Sequence, residues 1–412
     1  MTKKRVYFVT ALALLAVFSL SLSASCTGLL CTAVKAEKDG ETDAKQENQD
    51  LSLACESAVL MEPLSGNVLY EKDKDKQLRP ASVTKVMTLL LIMEALDSGK
   101  ISYEEKVSVS AHAASMGGSQ VFLEEGETQT VEDMIKCITV SSANDACVAM
   151  AEYVSGSEET FVKEMNAKAE KLGMKDTHFV NCCGLDADGH VTTAYDIALM
   201  SRELTVKHPD IFKFTTIWMD SITHVTAKGS KEFGLSNTNK LIKQYNGATG
   251  LKTGSTSLAK FCLSATATRN NLNLIAVVMA SPDSKTRVKD ASKLLDYGFA
   301  NCSLYEDTKV LEQSRKVTVR QGKQEQVGVS AKGTFQFVLT KGQEASKVTK
   351  KIECKKEVKA PVKKGQKLGC VTYYLGKEKI GSVPLKAVQS VKEWSMGDCI
   401  KKVGFRYLLT NK

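Results

Sequence analysis

The sequence predicts an α/β chain of the segregated α+β kind, closed by a small all-β domain. Three observations carry that expectation. Strand-like segments with turn chemistry lie at 57–70 and 252–280, on either side of a stretch with helical periodicity. One early helix is apolar around most of its axis, as a buried central helix is. Past Cys302 the texture changes to short alternating strands rich in Lys and Gly, with no long helical period.

The elements follow in order. Ala58-Val59-Leu60-Met61 and Val68-Leu69-Tyr70 flank Ser65-Gly66-Asn67, the pattern of a hairpin. Pro80 precedes a helix expected from Ser82 to Leu96, whose Val86, Met87, Leu89 to Met93 and Leu96 mark it as buried. Amphipathic helices are expected between Val131 and Leu204. Lys252 to Ala267 reads as one strand and Leu272 to Ala280 as the next. Arg269-Asn270-Asn271 turns between them, which makes the pair antiparallel. Ser284 to Phe299 is a last helix, and Val310 to Leu385 is all-β. From Val388 the pattern turns helical again, with Met396, Ile400, Val403 and Tyr407 on one face.

Length and composition set bounds. At 412 residues the chain exceeds one compact core, since domains usually run to roughly 100–200 residues. Only 6 prolines and 27 glycines exclude collagen-like and proline-rich disordered classes, and a mean hydropathy of −0.16 excludes a polytopic membrane protein. The net charge of +9 is uneven: 306–412 holds 24 Lys and Arg against 10 Asp and Glu. A basic end suggests an anionic neighbour such as phospholipid or an acidic wall polymer.

Lys3, Lys4 and Arg5 precede the uncharged run Val6 to Leu22 and then small residues at Ser23-Ala24-Ser25 and Val34-Lys35-Ala36. That is the layout of a secretory signal peptide; an uncleaved anchor is the alternative, and a lipoprotein through Cys26 or Cys31 a weaker one. The expected division is a signal peptide over 1–36, an acidic disordered linker over 37–50, a catalytic domain over 51–305, a β domain over 306–387 and an amphipathic tail over 388–412. The protein is therefore expected outside the cytoplasmic membrane. Twelve cysteines show no C-x-x-C pair or Cys/His ligand spacing, so no metal is expected, and most read as small buried apolar residues.

Three short motifs occur in order. Ser82-Val83-Thr84-Lys85 puts a serine and a lysine on one helical face. A serine hydroxyl needs a base to become nucleophilic, and a lysine whose pKa is lowered by burial supplies one. Alone, the pattern equally describes an N-cap serine and a solvated lysine. Ser142-Ala143-Asn144 follows an apolar run and by itself suggests a polar loop or helix start. Lys252-Thr253-Gly254-Ser255, on an expected strand, combines a cation, hydroxyls and a glycine that allows close backbone approach, which suits a carboxylate-bearing ligand; otherwise it is a solvated strand end.

The ordered set is the signature of penicillin-binding proteins and class A β-lactamases. With Arg79-Pro80-Ala81 before Ser82, Gly117-Gly118-Ser119, Asn144 to Ala151, Gly184 to His190 and Asn237 to Leu241, the sequence resembles the low-molecular-mass penicillin-binding proteins that act as serine-type D-alanyl-D-alanine carboxypeptidases. The resemblance covers about Leu51 to Leu385.

It implies a penicillin-binding/β-lactamase-like transpeptidase domain, an antiparallel sheet flanked by helices with a helical subdomain, then a small β sandwich. It implies Ser82 as nucleophile, Lys85 as base and Ser142 as proton relay, with Asn144 orienting Lys85 and the substrate amide. It also implies Lys252 as electrostatic support, Thr253 and Arg287 on the terminal carboxylate, and backbone N–H groups of Ser82 and Ser255 as oxyanion hole. Partners are peptidoglycan stem peptides ending in D-Ala-D-Ala, β-lactams as covalent inhibitors, and a membrane surface touched by the tail; no cofactor is implied. Many relatives carry histidine where this chain has Ser255, which puts deacylation in question.

Other function classes fit less well. A β-lactamase of the same superfamily needs an E-x-x-L-N segment, and none lies between Asn144 and Lys252. A non-catalytic wall or membrane binder would not need all three motifs intact. Nucleic-acid binding is disfavoured because few aromatics interleave the basic residues. The five histidines lack a G-x-S-x-G serine to serve, and His190 is expected to be structural or near the rim.

Overall fold

The computed structural model describes residues 50–226, 229–311, 315–340 and 342–410, the last five without their side chains. The expected signal peptide and nearly all of the acidic linker lie outside the described residues.

In chain order the named elements are β1 (Ser57–Met61), β2 (Val68–Lys72), α1 (Lys85–Asp97), β3 (Lys106–Ser108), β4 (Thr128–Thr130), α2 (Val131–Val140), α3 (Asn144–Ser155), α4 (Glu158–Leu172) and α5 (Ala194–Lys207). There follow β5 (Met219–Thr226), β6 (Gly229–Ser236), β7 (Ala248–Thr256), β8 (Lys260–Arg269), β9 (Leu272–Ser281) and α6 (Ser284–Asn301). The C-terminal part holds β10 (Ser303–Asp307), β11 (Arg315–Arg320), β12 (Gln326–Ala331), β13 (Phe335–Leu339), β14 (Val348–Cys354), β15 (Glu357–Lys359), β16 (Lys367–Leu375), β17 (Glu378–Ala387) and α7 (Met396–Thr410).

The first part is built on a five-stranded antiparallel sheet in the order β2-β1-β9-β8-β7. The β1–β2 turn is held by Glu62, whose carboxylate accepts from Leu64 N at 2.6 Å and Ser65 N at 2.7 Å. Asn270 and Asn271 both take positive φ, so β8 and β9 meet in a two-residue turn of the primed kind. Four of the named helices start on a side-chain cap. Thr130, Ser157 and Thr193 accept from backbone N–H groups at the starts of α2, α4 and α5, and Asp283 does so at α6.

α1 is the buried central helix, with only Glu94, Leu96 and Asp97 reaching solvent to any degree. It packs against α5, α3 and the strand β7, so one face of the sheet and the helical part share a single apolar core. α6 covers the other face.

Two sequence expectations for this first part needed correction. Lys252 to Ala267 is not one strand: β7 ends at Thr256 and β8 begins at Lys260, with Thr256 Oγ1 accepting from Ala259 N in the turn. The turn, Ser257-Leu258-Ala259, has no Gly, Pro or Asn to mark it. The helix expected from Ser82 starts as a 3₁₀ turn over Ala81–Thr84 before α1 proper.

The second part is all-β, a six-stranded sheet in the order β14-β16-β17-β12-β11-β15 and the ribbon β10–β13. Phe335 of the ribbon stacks on Tyr373 of the sheet, ring centroids 3.7 Å apart and nearly parallel, and Tyr373 Oη donates to Asp307 at 2.8 Å. Val338 buries into the core beneath α6, which ties this ribbon to the first part. The tail helix begins at Met396 rather than Val388, because Val391 is still paired with Val362 and buried. Met396, Ile400, Val403 and Phe405 of α7 are each about 70–80 % exposed, while the side chain of Tyr407 is not described.

Candidate active site

The site forms where the 3₁₀ turn before α1 meets the edge strand β7. Ala81 takes a left-handed φ of 48°, which turns the chain so that Ser82 is half-exposed while Val83, Thr84 and Lys85 are buried. Gly254 is what lets the strand come this close. A Cβ there would sit 2.8 Å from the Pro80 carbonyl oxygen and 2.9 Å from the amide nitrogens of Ser82 and Val83. The sequence reading assigned the glycine's space to the ligand; the helix start occupies it instead.

Lys85 is fully buried and makes three contacts through Nζ: Ser82 Oγ at 3.1 Å, Asn144 Oδ1 at 2.7 Å and the Cys183 carbonyl at 2.7 Å. Two of these are pure acceptors. They fix the direction of the amine, so that its third contact is the Ser82 hydroxyl. Asn144, at the start of α3, donates in turn to the Gly117 carbonyl at 2.7 Å, and its own N–H donates to Ser119. Asp145 fastens the same loop by accepting from Val121 N and Leu123 N at 3.1 Å each.

Ser142 lies in the bend between α2 and α3 with a positive φ of 62°, buried, and accepts from Lys252 Nζ at 2.8 Å. Lys252 also donates to the Thr253 carbonyl at 3.0 Å. Burial, then the charges of Lys85 and Arg287, push Lys252 well below the ordinary lysine pKa. Thr253 Oγ1 lies 2.7 Å from Thr238 Oγ1, and Ser255 is exposed. Arg287, in the first turn of α6, is buried behind the strand, with Nη1 donating to the carbonyls of Gly254 and Cys262 at 3.2 Å each. Its Nε is buried without a partner, and burial lowers its pKa.

All nine residues singled out in the sequence therefore gather where the start of α1, the α2–α3 bend and β7 meet, with Arg287 behind the strand. Sequence reasoning missed the carbonyls of Cys183 and Gly117, which are backbone atoms without residue-type signature. It also missed the Thr238 hydroxyl, although Asn237-Thr238-Asn239 carried the resemblance. His190 is buried rather than at the rim: Nδ1 accepts from Val180 N at 3.1 Å, so Nε2–H donates to Thr84 Oγ1 at 2.9 Å, and burial lowers its pKa to about 4. Cys147 and the adjacent pair Cys182-Cys183, 35 positions further along, form a cluster with sulfurs within 4.8 Å of one another. Their separation explains why a search for ligand spacing found nothing.

A half-exposed serine on a buried lysine at a strand edge, with a second serine–lysine pair beside it, defines a serine acyl-transfer enzyme without a histidine base. The family model for D-alanyl-D-alanine carboxypeptidase matches residues 43–283, and that for the penicillin-binding protein 5 C-terminal domain matches residues 301–393. The chain belongs to the D-alanyl-D-alanine carboxypeptidase family and is a serine-type hydrolase.

It is 43% identical to the D-alanyl-D-alanine carboxypeptidase DacF of Bacillus subtilis, over 90% of this chain and 94% of that one. It is 35% identical to DacD of Escherichia coli, over 82% of this chain and 87% of that one. Among solved structures, penicillin-binding protein 5 of Haemophilus influenzae superposes with a TM-score of 0.65 at 32% identity, over 83% of this chain and 98% of that one.

Proposed function

We propose that the protein removes the terminal D-alanine from peptidoglycan stem peptides through an acyl-enzyme on Ser82. The observation that carries this reading is the Lys85 amine, 3.1 Å from Ser82 Oγ with its other two contacts to acceptors.

Lys85 takes the Ser82 proton and Oγ attacks the carbonyl between the two D-alanines. The N–H groups of Ser82 and Ser255 hold the developing oxyanion. Ser142, its hydroxyl oxygen held by Lys252, relays the proton that Lys85 took from Ser82 to the departing amine, and the C–N bond breaks. Thr253, Thr238 and Ser255 face the free carboxylate on the cleft side. Arg287 adds positive charge from behind the strand, and Gly254 keeps strand and helix start together. Asn144 orients Lys85 and the substrate amide. Water then attacks the Ser82 ester and releases the shortened peptide. β-Lactams acylate Ser82 by the same route.

We also infer export through 1–36, a linker over 37–50, a catalytic domain over 51–305, a β domain over 306–387, and a tail over 388–412 that lies on the membrane surface. The exposed apolar side chains of α7 beside Lys401 and Lys402 support an interfacial helix. Among the described residues no helix is long and apolar enough to cross a membrane.

The test is to incubate the protein with a peptide ending in D-Ala-D-Ala, beside Ser82→Ala, and measure free D-alanine and covalent labelling by a fluorescent penicillin. Wild type should release D-alanine and be labelled, and Ser82→Ala should do neither. Rapid penicillin turnover without D-alanine release would reject the carboxypeptidase in favour of a β-lactamase, and absence of labelling would favour a non-catalytic binder.

A further inference from the structure

Three thiols meet directly behind Lys85. Cys147 lies on α3, one turn after Asn144, and Cys182 and Cys183 lie in the irregular segment between α4 and α5. All three are fully buried and their Sγ atoms lie within 4.8 Å of one another. Cys182 Sγ and Cys183 Sγ are 3.6 Å apart. Cys147 Sγ donates to the Cys182 carbonyl at 3.2 Å, and Cys183 Sγ to the Asn144 carbonyl at 3.6 Å. A centre bonded to three sulfurs at roughly 2.3 Å, as in thiolate–metal bonds, needs them about 4 Å apart. The trio is close to that spacing already.

Donor number and charge select the ligand class. A structural zinc site closes with four ligands, and this cluster offers three sulfurs with no histidine or carboxylate. Three thiolates around a dication leave one buried negative charge, and around monovalent copper two; buried charge is costly unless paired. A trivalent arsenic centre forms three bonds to sulfur and ends uncharged.

We propose that Cys147, Cys182 and Cys183 form a three-thiol site that captures one trivalent arsenic-class centre and thereby slows acylation of Ser82. The step balances without oxidant or reductant. Arsenous acid exchanges its three hydroxyls for three sulfurs: three S–H and three As–O bonds break, three As–S bonds form, and three waters leave. The way in is the segment that carries Cys182 and Cys183, which belongs to no helix or strand and is exposed at Val180 and Leu185.

Capture is felt at the active site because the cluster shares its frame. Cys183 O and Asn144 Oδ1 are the two acceptors that orient Lys85 Nζ. Bond formation removes both S–H donors, the one to Asn144 O and the one to Cys182 O, and draws α3 and the loop together. This coupling rests on the reading of Ser82 and Lys85 given above, whereas capture itself does not.

The experiment adds arsenite to the reduced full-length protein without oxygen. The intact mass should show one arsenic gained and three hydrogens lost. Attachment of fluorescent penicillin should slow by about tenfold or more, the scale of a 1.4 kcal/mol perturbation, and recover on adding a small dithiol. Cys147→Ser, still labelled by penicillin and so folded, should keep at most a two-sulfur adduct with one hydroxyl.

A wild-type adduct lacking only two hydrogens, or arsenic mapped to Cys354 and Cys370, would overturn the site. Zinc displacing arsenic from an equimolar mixture would overturn the ligand class. A complete three-thiol adduct with unchanged penicillin attachment would overturn the coupling. If Cys147→Ser does not fold, the hydrogen count of the wild-type adduct decides alone.

Discussion

Lys252 Nζ lies 2.8 Å from Ser142 Oγ, and both side chains are buried. The lysine is held in an apolar setting beside two further cations, so its neutral form is favoured in the folded chain. The unfolded chain, with an ordinary lysine, keeps its proton to higher pH. Between the lowered folded pKa and the ordinary 10.5, stability therefore rises with pH and is lost as pH falls.

Lys252→Met removes that cost. Its stability relative to wild type should grow as pH is lowered through this window and shrink as pH rises toward 10.5, in denaturant unfolding at several pH values. D-Alanine release should drop by about a hundredfold or more, the usual scale for a lost electrostatic donor at a reacting group, since Ser142 loses the amine that holds it. Equal stability differences at every pH would show that Lys252 titrates normally.

Gly254 and Ser255 should respond in opposite ways to alanine. At Gly254 the new Cβ meets the Pro80 carbonyl and the Ser82 and Val83 amides at 2.8–2.9 Å. Backbone cannot swing aside as a side chain does, so overpacking of about 1–3 kcal/mol is expected and Ser82 is displaced. Gly254→Ala should lose penicillin labelling while keeping helical and strand content by circular dichroism. Ser255→Ala keeps the backbone N–H and should still be labelled.

His190 gives a pH signature separate from catalysis. Its pKa falls from 6.5 to about 4 on folding, so the neutral ring is favoured in the native state. The associated stability is fully present above 6.5 and is lost as pH falls toward 4, in total about 3 kcal/mol. His190→Gln should flatten that part of the stability–pH curve. An unchanged slope in the variant would mean that His190 titrates as it does in the unfolded chain.

The tail prediction concerns location only. A chain ending at Ser395 keeps the Val362–Val391 pairing and loses α7. It should release D-alanine from a soluble peptide as wild type does, yet no longer sediment with anionic phospholipid vesicles. Equal sedimentation of both chains would assign any membrane affinity to the basic β domain instead.

Much of this was legible in the chain itself. The β1–β2 hairpin showed in Ser65-Gly66-Asn67, the β8–β9 turn in Asn270-Asn271, and the all-round burial of α1 in its apolar run. Each is local, set by backbone preferences over a few residues. The break between β7 and β8 was not legible, since Ser257-Leu258-Ala259 has no Gly, Pro or Asn, and the turn is held by Thr256 Oγ1 accepting from Ala259 N.

The sequence by itself determined which chemistry was present: a serine and a lysine one turn apart, a second serine, and a lysine on a strand, in an order too specific for chance. Only tertiary structure decided what those groups face. Contacts between Lys85 and Cys183, Lys252 and Ser142, or Cys147 and the Cys182–Cys183 pair join residues from 35 to 110 positions apart. Local propensity carries no information over such separations, because it is the burial of α1 between sheet and helices that brings them together.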